Sequence, residues 1–483
     1  MKKILCFLLT AVMILGLCAC SGESTSTEPP ATGLQVGFGR ADITPKYSVP
    51  LAGYGNTFDR MSEGFLNYLY ATCVAITDEQ NSTVLLITTD VIAIRNGIAE
   101  GIRQQITAAT GVRADRIMFQ GTHTHSGPDI YTTQDVMAQY HVDYANGLVE
   151  AAKQAMDDRS SATILTGEVF TENLNFVRHY TVSDGTIYGD NFGSLANGVI
   201  TGHTSDADNQ VQMIRFQRDA EGKKDILMVN YQAHAKMAST SETTEGLATR
   251  NMLSSDFIGA TRDYVEKNAD VHFAFYLGAA GNLNTFSKIP TENRTTDYQQ
   301  FGTILGDYIL GGLENMTPVE GTQVRSTQKI FEAKVDHSDN PLLPIAVKVK
   351  EAFEATGDYA GSLKAGGNDP RIASPYHAIS IVNRANITAE VQPMEINAIS
   401  VGGIGFITAP YEMFDTNGMY IKENSPFETT FIMTCANAHY DYFASDACFE
   451  NGGTYEVHAR RFVRGTAENV ADLFVEMLNS LKG

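Results

Sequence analysis

The chain has 483 residues, 43% of them hydrophobic and 19% charged. That supplies a large buried core, in one domain or two, and rules out bulk disorder. The net charge of −21 repels phosphate backbones and argues against nucleic acid as a partner; solubility outside the cell is the simpler consequence.

The elements follow in chain order. Met1-Lys2-Lys3 is a basic start, and Ile4–Leu17 is an apolar run too short to span a bilayer. It closes on Leu17-Cys18-Ala19-Cys20, which resembles a bacterial lipobox. Residues 1–19 are therefore expected to be a lipoprotein signal peptide, with Cys20 the lipidated N-terminus and 20–33 a flexible tether rich in Ser, Thr and Pro. A plain secretory signal is the alternative. The expected location is outside the cell, anchored to the bacterial membrane through the lipid alone. Three of the six cysteines fall in the signal, leaving Cys73, Cys435 and Cys448. Cys73 reads as a buried thiol, and a Cys435–Cys448 bridge stays open.

From Leu34 the pattern is mixed α/β. Ala71–Thr77 and Thr83–Thr89 read as paired strands, and Val91–Thr110 as a helix closed by Gly111. Arg116–Gln120 is a strand. Val136, Met137, Tyr140, Tyr144, Leu148, Ala151 and Ala155 mark an amphipathic helix. Strands are expected at Thr163–Phe170, Val211–Phe216, Ile226–Tyr231 and Val271–Tyr276, and a β-rich stretch over 387–408. Helices are expected at Ser255–Lys267, Gln300–Glu314, Pro344–Thr356 and Thr466–Leu481, the last capped by Thr466. Residues 355–376, rich in Gly, Asp and Ala, read as a long surface loop. The expected fold class is one large α/β (mixed α+β) domain over 34–483, with layered sheets flanked by helices.

Gly121-Thr-His-Thr-His-Ser-Gly-Pro-Asp129 carries the clearest chemistry. In extended backbone, residues two apart share a side, so His123 and His125 are expected to face one cavity, with Ser126-Gly127-Pro128 forcing a turn. A metal ligand beside an acid/base group suits that arrangement, although structural histidines also explain a bare His-x-His. His234 ends the apolar run Val229-Asn-Tyr-Gln-Ala-His234, where a core histidine is the ordinary reading. Glu412, in Ala409-Pro-Tyr-Glu412, would also suit the first turn of a helix. Asp90, ending a strand, is a candidate orienter of a ligand.

Together these residues resemble the neutral, or non-lysosomal alkaline, ceramidase family. The resemblance runs from Val36-Gly-Phe-Gly-Arg-Ala-Asp-Ile-Thr-Pro45 and Leu51-Ala-Gly-Tyr54 through Thr122–Pro128, Asn175-Phe-Val-Arg178 and Val229–His234. It continues through Gly278-Ala-Ala-Gly281, Pro410-Tyr-Glu412, Ala436-Asn-Ala-His-Tyr-Asp-Tyr442 and Gly452-Gly-Thr-Tyr-Glu456.

The resemblance implies a catalytic Zn2+ held by His123, His234, Glu412 and Tyr442. It makes His125 a proton shuttle and Arg178 the group that steadies the carbonyl or oxyanion. It implies hydrolysis of a small-molecule or lipid-like N-acyl amide, with an ester or lactone as the alternative at the same centre. A catalytically degenerate surface binding lipoprotein is the reading from another class. Where ceramidases carry Gly-Asp-Val-Ser-Pro-Asn, this chain has Gly281-Asn-Leu-Asn-Thr-Phe286. Asn284 thus takes the place of a Ser with a catalytic or substrate-positioning role, and long-chain ceramide is expected to be a poor substrate. Ending at Gly483, the chain is expected to lack the family's immunoglobulin-like C-terminal domain.

Overall fold

Burial on both faces explains why the first strands are nearly continuous apolar runs. In Tyr70–Thr77 and Thr83–Thr89, Cys73, Ala75, Leu85 and Ile87 pack on one side, and Val74, Ile76, Val84 and Leu86 on the other. The computed structural model describes residues 33–54, 60–132, 135–189, 198–239, 249–450, 454–458 and 460–482. The expected signal peptide, Cys20 and all of the tether except Gly33 lie outside them.

The main sheet has nine strands. We number them β1 (Gln35–Asp42), β2 (Tyr70–Thr77), β3 (Thr83–Thr89), β4 (Ile117–Gly121), β5 (Ser160–Phe170), β6 (Gln210–Arg218), β7 (Asp225–Tyr231), β8 (Val271–Leu277) and β9 (Thr317–Val319). The spatial order is β8-β7-β6-β5-β1-β2-β3-β4, with β9 on β5. A second sheet of four strands contains β10 (Val324–Lys334), β11 (Val391–Val401), β12 (Ile404–Thr408) and, after the short β13 (Glu412–Met413), β14 (Thr429–Met433). Val36, Phe38, Ile214 and Met228 of the first sheet share a core with Ile399, Phe406 and Phe431 of the second. Helices cover the outer faces. The long helix Asp135–Asp157 lies on β1, where a Cβ at Gly37 or Gly39 would come within 2.0 Å of the carbonyl of Ala155 or Ala151. The Gly-x-Gly of β1 therefore lets the helix approach.

Parallel pairing needs a crossover, and three helices supply one. We call them α1 (Ala99–Thr110, between β3 and β4), α2 (Asp256–Asn268, between β7 and β8) and α3 (Asp415–Asn424, between β12 and β14).

Several expectations need correction. Val91–Thr110 is helical only from Ala99; Val91, Ala93 and Ile94 are buried, but in an irregular approach to the helix. Their apolar character came from packing, not from helical period. Residues 355–376 are not one loop, since Tyr359–Ala365 is a helix whose Asp358 accepts the backbone N–H of Gly361. Thr466 does not cap the final helix: Gly465 holds that position, and the Thr466 hydroxyl donates to the Val463 carbonyl. Cys73, Cys435 and Cys448 are all buried free thiols, so no Cys435–Cys448 bridge forms.

Candidate metal and hydrolytic centre

The site residues follow the carboxyl ends of the parallel strands, where α/β sheets place their ligands. His123 and His125 follow β4, and His234 follows β7. Glu412 follows β12, and Tyr442 follows β14. Backbone hydrogen bonds join these ends: His125 N–H donates to Ala235 O (2.8 Å), and His234 N–H to Leu283 O (3.2 Å). Glu412 and Tyr442 are direct partners in a short parallel pairing, Glu412–Met413 with Tyr442–Phe443.

His123 and His125 meet as expected, but not for the expected reason. The strand ends at Gly121, and His123 has φ of +65°, the left-handed region. This backbone, costing on the order of 1–3 kcal/mol, brings the two rings to 5.1 Å between centroids. Cys435 and Asp441, from the facing loop, also have positive φ.

One nitrogen from each of His123, His125 and His234 lies within 4.8 Å of the other two, and all three residues are buried. The cluster is compatible with a metal ion. Its bonds fix two tautomers. His123 Nδ1 lies 2.8 Å from Ile92 O, and His234 Nδ1 lies 2.8 Å from Ala280 O and 3.0 Å from Leu283 O. A carbonyl only accepts, so both Nδ1 atoms carry protons; in the neutral rings both Nε2 atoms then present lone pairs. Those lone pairs meet Glu412 Oε2 at 3.3 Å and 3.2 Å. His123 Nε2 and Glu412 Oε2 are buried without a hydrogen-bond partner. Acceptors converging with no donor nearer than the Tyr442 hydroxyl suit a cation between them, and carbonyl-held imidazoles with a carboxylate are a transition-metal donor set. Tyr442 OH completes the group, 3.5 Å from His234 Nε2.

Burial sets the charges. It lowers the His234 pKa to about 4 and holds the His125 pKa well below the usual histidine value, helped by the neighbouring His123. Neither nitrogen of His125 has a hydrogen-bond partner. Its ring packs edge-on to Tyr54 at 5.1 Å. Burial opposes the Arg178 charge, but Glu456 outweighs it and pushes the pKa up. Arg178 Nε and Nη2 donate to Glu456 Oε1 at 2.8 and 2.5 Å, and its guanidinium lies 5.1 Å from the Tyr442 ring centre.

A family model, the N-terminal domain of neutral/alkaline non-lysosomal ceramidase, matches residues 34–276, half of the chain. The chain belongs to the neutral/alkaline non-lysosomal ceramidase family. Membership makes it a hydrolase acting on amide bonds. Its fold is that of neutral ceramidase from Pseudomonas aeruginosa, with TM-score 0.67 at 18% identity over 93% of this chain and 74% of that one. A ceramidase complexed with C2 matches equally well, with TM-score 0.67 at 17% identity over 93% of this chain and 75% of that one.

In this ceramidase-family chain Asp90 departs from the sequence reading, and His439 and Glu456 escaped it. Asp90 orients no histidine: it pairs with Arg262 at 3.0 Å and accepts Tyr70 N–H and the Thr122 hydroxyl. Backbone carbonyls orient the rings instead. Asn284 is fully buried, paired with Phe176 next to the Leu283 carbonyl that holds His234. It is not among the described residues lining the cavity above the centre. Two residues were missed as site components: His439, whose Nε2 lies 3.2 Å from Glu412 Oε1, and Glu456, which holds Arg178. Both stand inside quoted motifs, but a side chain that acts through a neighbour leaves no spacing signal.

Proposed function

We propose that the chain is a zinc-dependent amidohydrolase that cleaves an N-acyl amide. The observation that carries this is the acceptor-only convergence of His123 Nε2, His234 Nε2 and Glu412 Oε2. These residues and Tyr442 would hold Zn2+. When bound, zinc lowers the pKa of its water to about 7 and polarises a carbonyl oxygen.

The chain's own groups supply the rest. His125 is neutral, has both nitrogens free of hydrogen bonds, and lines the cavity, so it can take up a proton and deliver it to the leaving nitrogen. Arg178, charged and held by Glu456, steadies negative charge on the carbonyl oxygen. The complex of a related ceramidase with C2 supports a lipid-like N-acyl substrate. Long-chain ceramide should be turned over slowly, because Asn284 stands where ceramidases carry Ser. Lipidation at Cys20 would anchor the enzyme at a membrane, and the mass of the mature N-terminus checks it.

The test separates the two neighbouring histidines. His123→Ala should lose both zinc and activity. His125→Ala should keep about one zinc per chain while losing about 10²–10⁴ in rate. A second reading, with His125 as a third imidazole ligand, is favoured by its place in the same 4.8 Å cluster. Under it, His125→Ala also empties the site. Wild-type protein purified without zinc that turns over amides at an undiminished rate in chelator would defeat the zinc reading.

A further inference from the structure

The cavity above the centre has a volume of about 930 Å3, and its floor includes His125, Arg178, His234 and Tyr442. One wall is cationic. Arg60, Lys236 and Arg250 line it together with Tyr54 and Ser239, and no Asp or Glu is among the described residues lining the cavity. In a chain with net charge −21, that local balance is opposite to the whole.

Arg60 is the informative member. It is 1% exposed, so its guanidinium has almost no water. Its described partners are neutral: Nη1 donates to Ala52 O at 2.8 Å, and Nη2 to His125 O at 3.1 Å and Arg250 O at 3.0 Å. Nε is buried without a partner. The nearest ring is Tyr54, 4.8 Å away. Asp256, whose charge reaches Tyr54, turns its carboxylate to the backbone N–H groups of Ala238 and Phe257 instead. Burial pulls the Arg60 pKa below the usual arginine value, and the Arg250 charge adds to that pull. A buried charge is ordinarily paired, because an unpaired one is strongly penalised. Arg60 is also among the residues lining a substrate-sized cavity.

We propose that the substrate carries an anion on its amine half, and that Arg60 and Arg250 bind it. This rests on the N-acyl amidohydrolase reading and names its substrate class: an acylated amine bearing a carboxylate or sulfonate near the scissile nitrogen. The placement follows from His125. Arg60 bonds the backbone carbonyl of the residue that serves the leaving nitrogen, so the anion lies on the leaving side. A planar guanidinium suits a carboxylate, and Arg60 Nη1 has Ala52 O as the one described acceptor for its two N–H groups.

The experiment compares N-hexanoylglycine with N-hexanoylglycinamide, which differ only in the charge. Calorimetry on chelator-treated full-length protein removes any contact between carboxylate and metal. The acid should bind at least about tenfold more tightly than the amide (a difference of about 1.4 kcal/mol). Arg250→Gln, at an exposed position, should cut that preference severalfold. Arg60→Gln should abolish it, and Arg60→Lys should restore part of it if the Gln variant fails to fold. On zinc-loaded protein the same preference should appear in kcat/KM, mainly through KM. Equal binding of acid and amide to wild type overturns the proposal, as does a preference that Arg250→Gln and Arg60→Lys both leave intact. Preferential binding of the acid with no hydrolysis of either compound supports the anion wall and overturns the amidohydrolase reading instead.

Discussion

The floor and the roof of the cavity are built on different terms. The floor stands on strand ends. His123, His234 and Glu412 are buried, and their unused atoms are tied down by Ile92 O, Ala280 O, Leu283 O and His439. The roof comes from the segment between β10 and β11, which carries the helices Leu343–Thr356, Tyr359–Ala365 and Pro375–Ala385. Tyr359, Ser374, Tyr376 and His377 line the cavity from this side. The segment has a small core of its own, Leu342, Ala346, Val349, Ile372, Ala378 and Ile381. The contrast gives the candidate chemistry to buried strand ends held by hydrogen bonds, and ligand shape to a segment with a core of its own.

The sharpest way to break that comparison is to empty the roof's core. Leu342 is fully buried, and Leu342→Ala should remove about 2–5 kcal/mol from the roof. Zinc should stay near one per chain while KM rises. Loss of zinc in this variant, measured by elemental analysis, would show that floor and roof are one unit.

A second prediction uses pH. Asp256 opens α2 with φ of +58°, and burial raises its pKa to about 6 from an unfolded value of 3.8. The folded state therefore favours the protonated form. Its stabilising contribution is full below pH 3.8 and is lost as pH rises through about 6. That swing is about 3 kcal/mol. Denaturant unfolding at pH 4 and pH 7 should show it in wild type relative to Asp256→Asn, whose side chain does not titrate. Parallel pH profiles for the two proteins would refute the assignment.

The smallest effect concerns the acid's support. Glu412 accepts from His439, so His439→Phe should weaken zinc binding by about 10–100-fold while leaving the site loadable at high zinc. Competition with a chelator of known affinity reads this directly. An unchanged affinity would mean that β13 alone orients Glu412.

The sequence was legible where a residue's type and its neighbours' pattern carry the same message. Thr83–Thr89 reads as a strand and is one, because every side chain in it is apolar or β-branched. The five residues assigned around the metal, His123, His125, His234, Glu412 and Tyr442, do come together, and that reading came from motif order. The local geometry behind His-x-His was wrong, since a left-handed residue outside the strand does what alternation was expected to do. Apolar residues at Val91–Ile94 mimic a helix because they pack against the core while the Val91 and Ile92 carbonyls hold His123. Arg60 carried no sequence signal, because what singles it out is that its partners after folding, among the described residues, are neutral backbone carbonyls.

The roof begins and ends at one place. Lys334 and Val391 are direct partners across β10 and β11, and Val335 N–H donates to Glu390 O at 3.0 Å. The stretch from Asp336 to Ala389 thus begins and ends one strand spacing apart, a gap that a tight hairpin turn could bridge. It is also tied to the stretch that carries Glu456: Asp336 N–H donates to Arg461 O, Asn340 Nδ2 to His458 O, and the His377 ring lies 4.8 Å from that of Tyr455. An exchange of the segment that kept these ties would change ligand shape without touching the strand ends that carry the candidate metal centre.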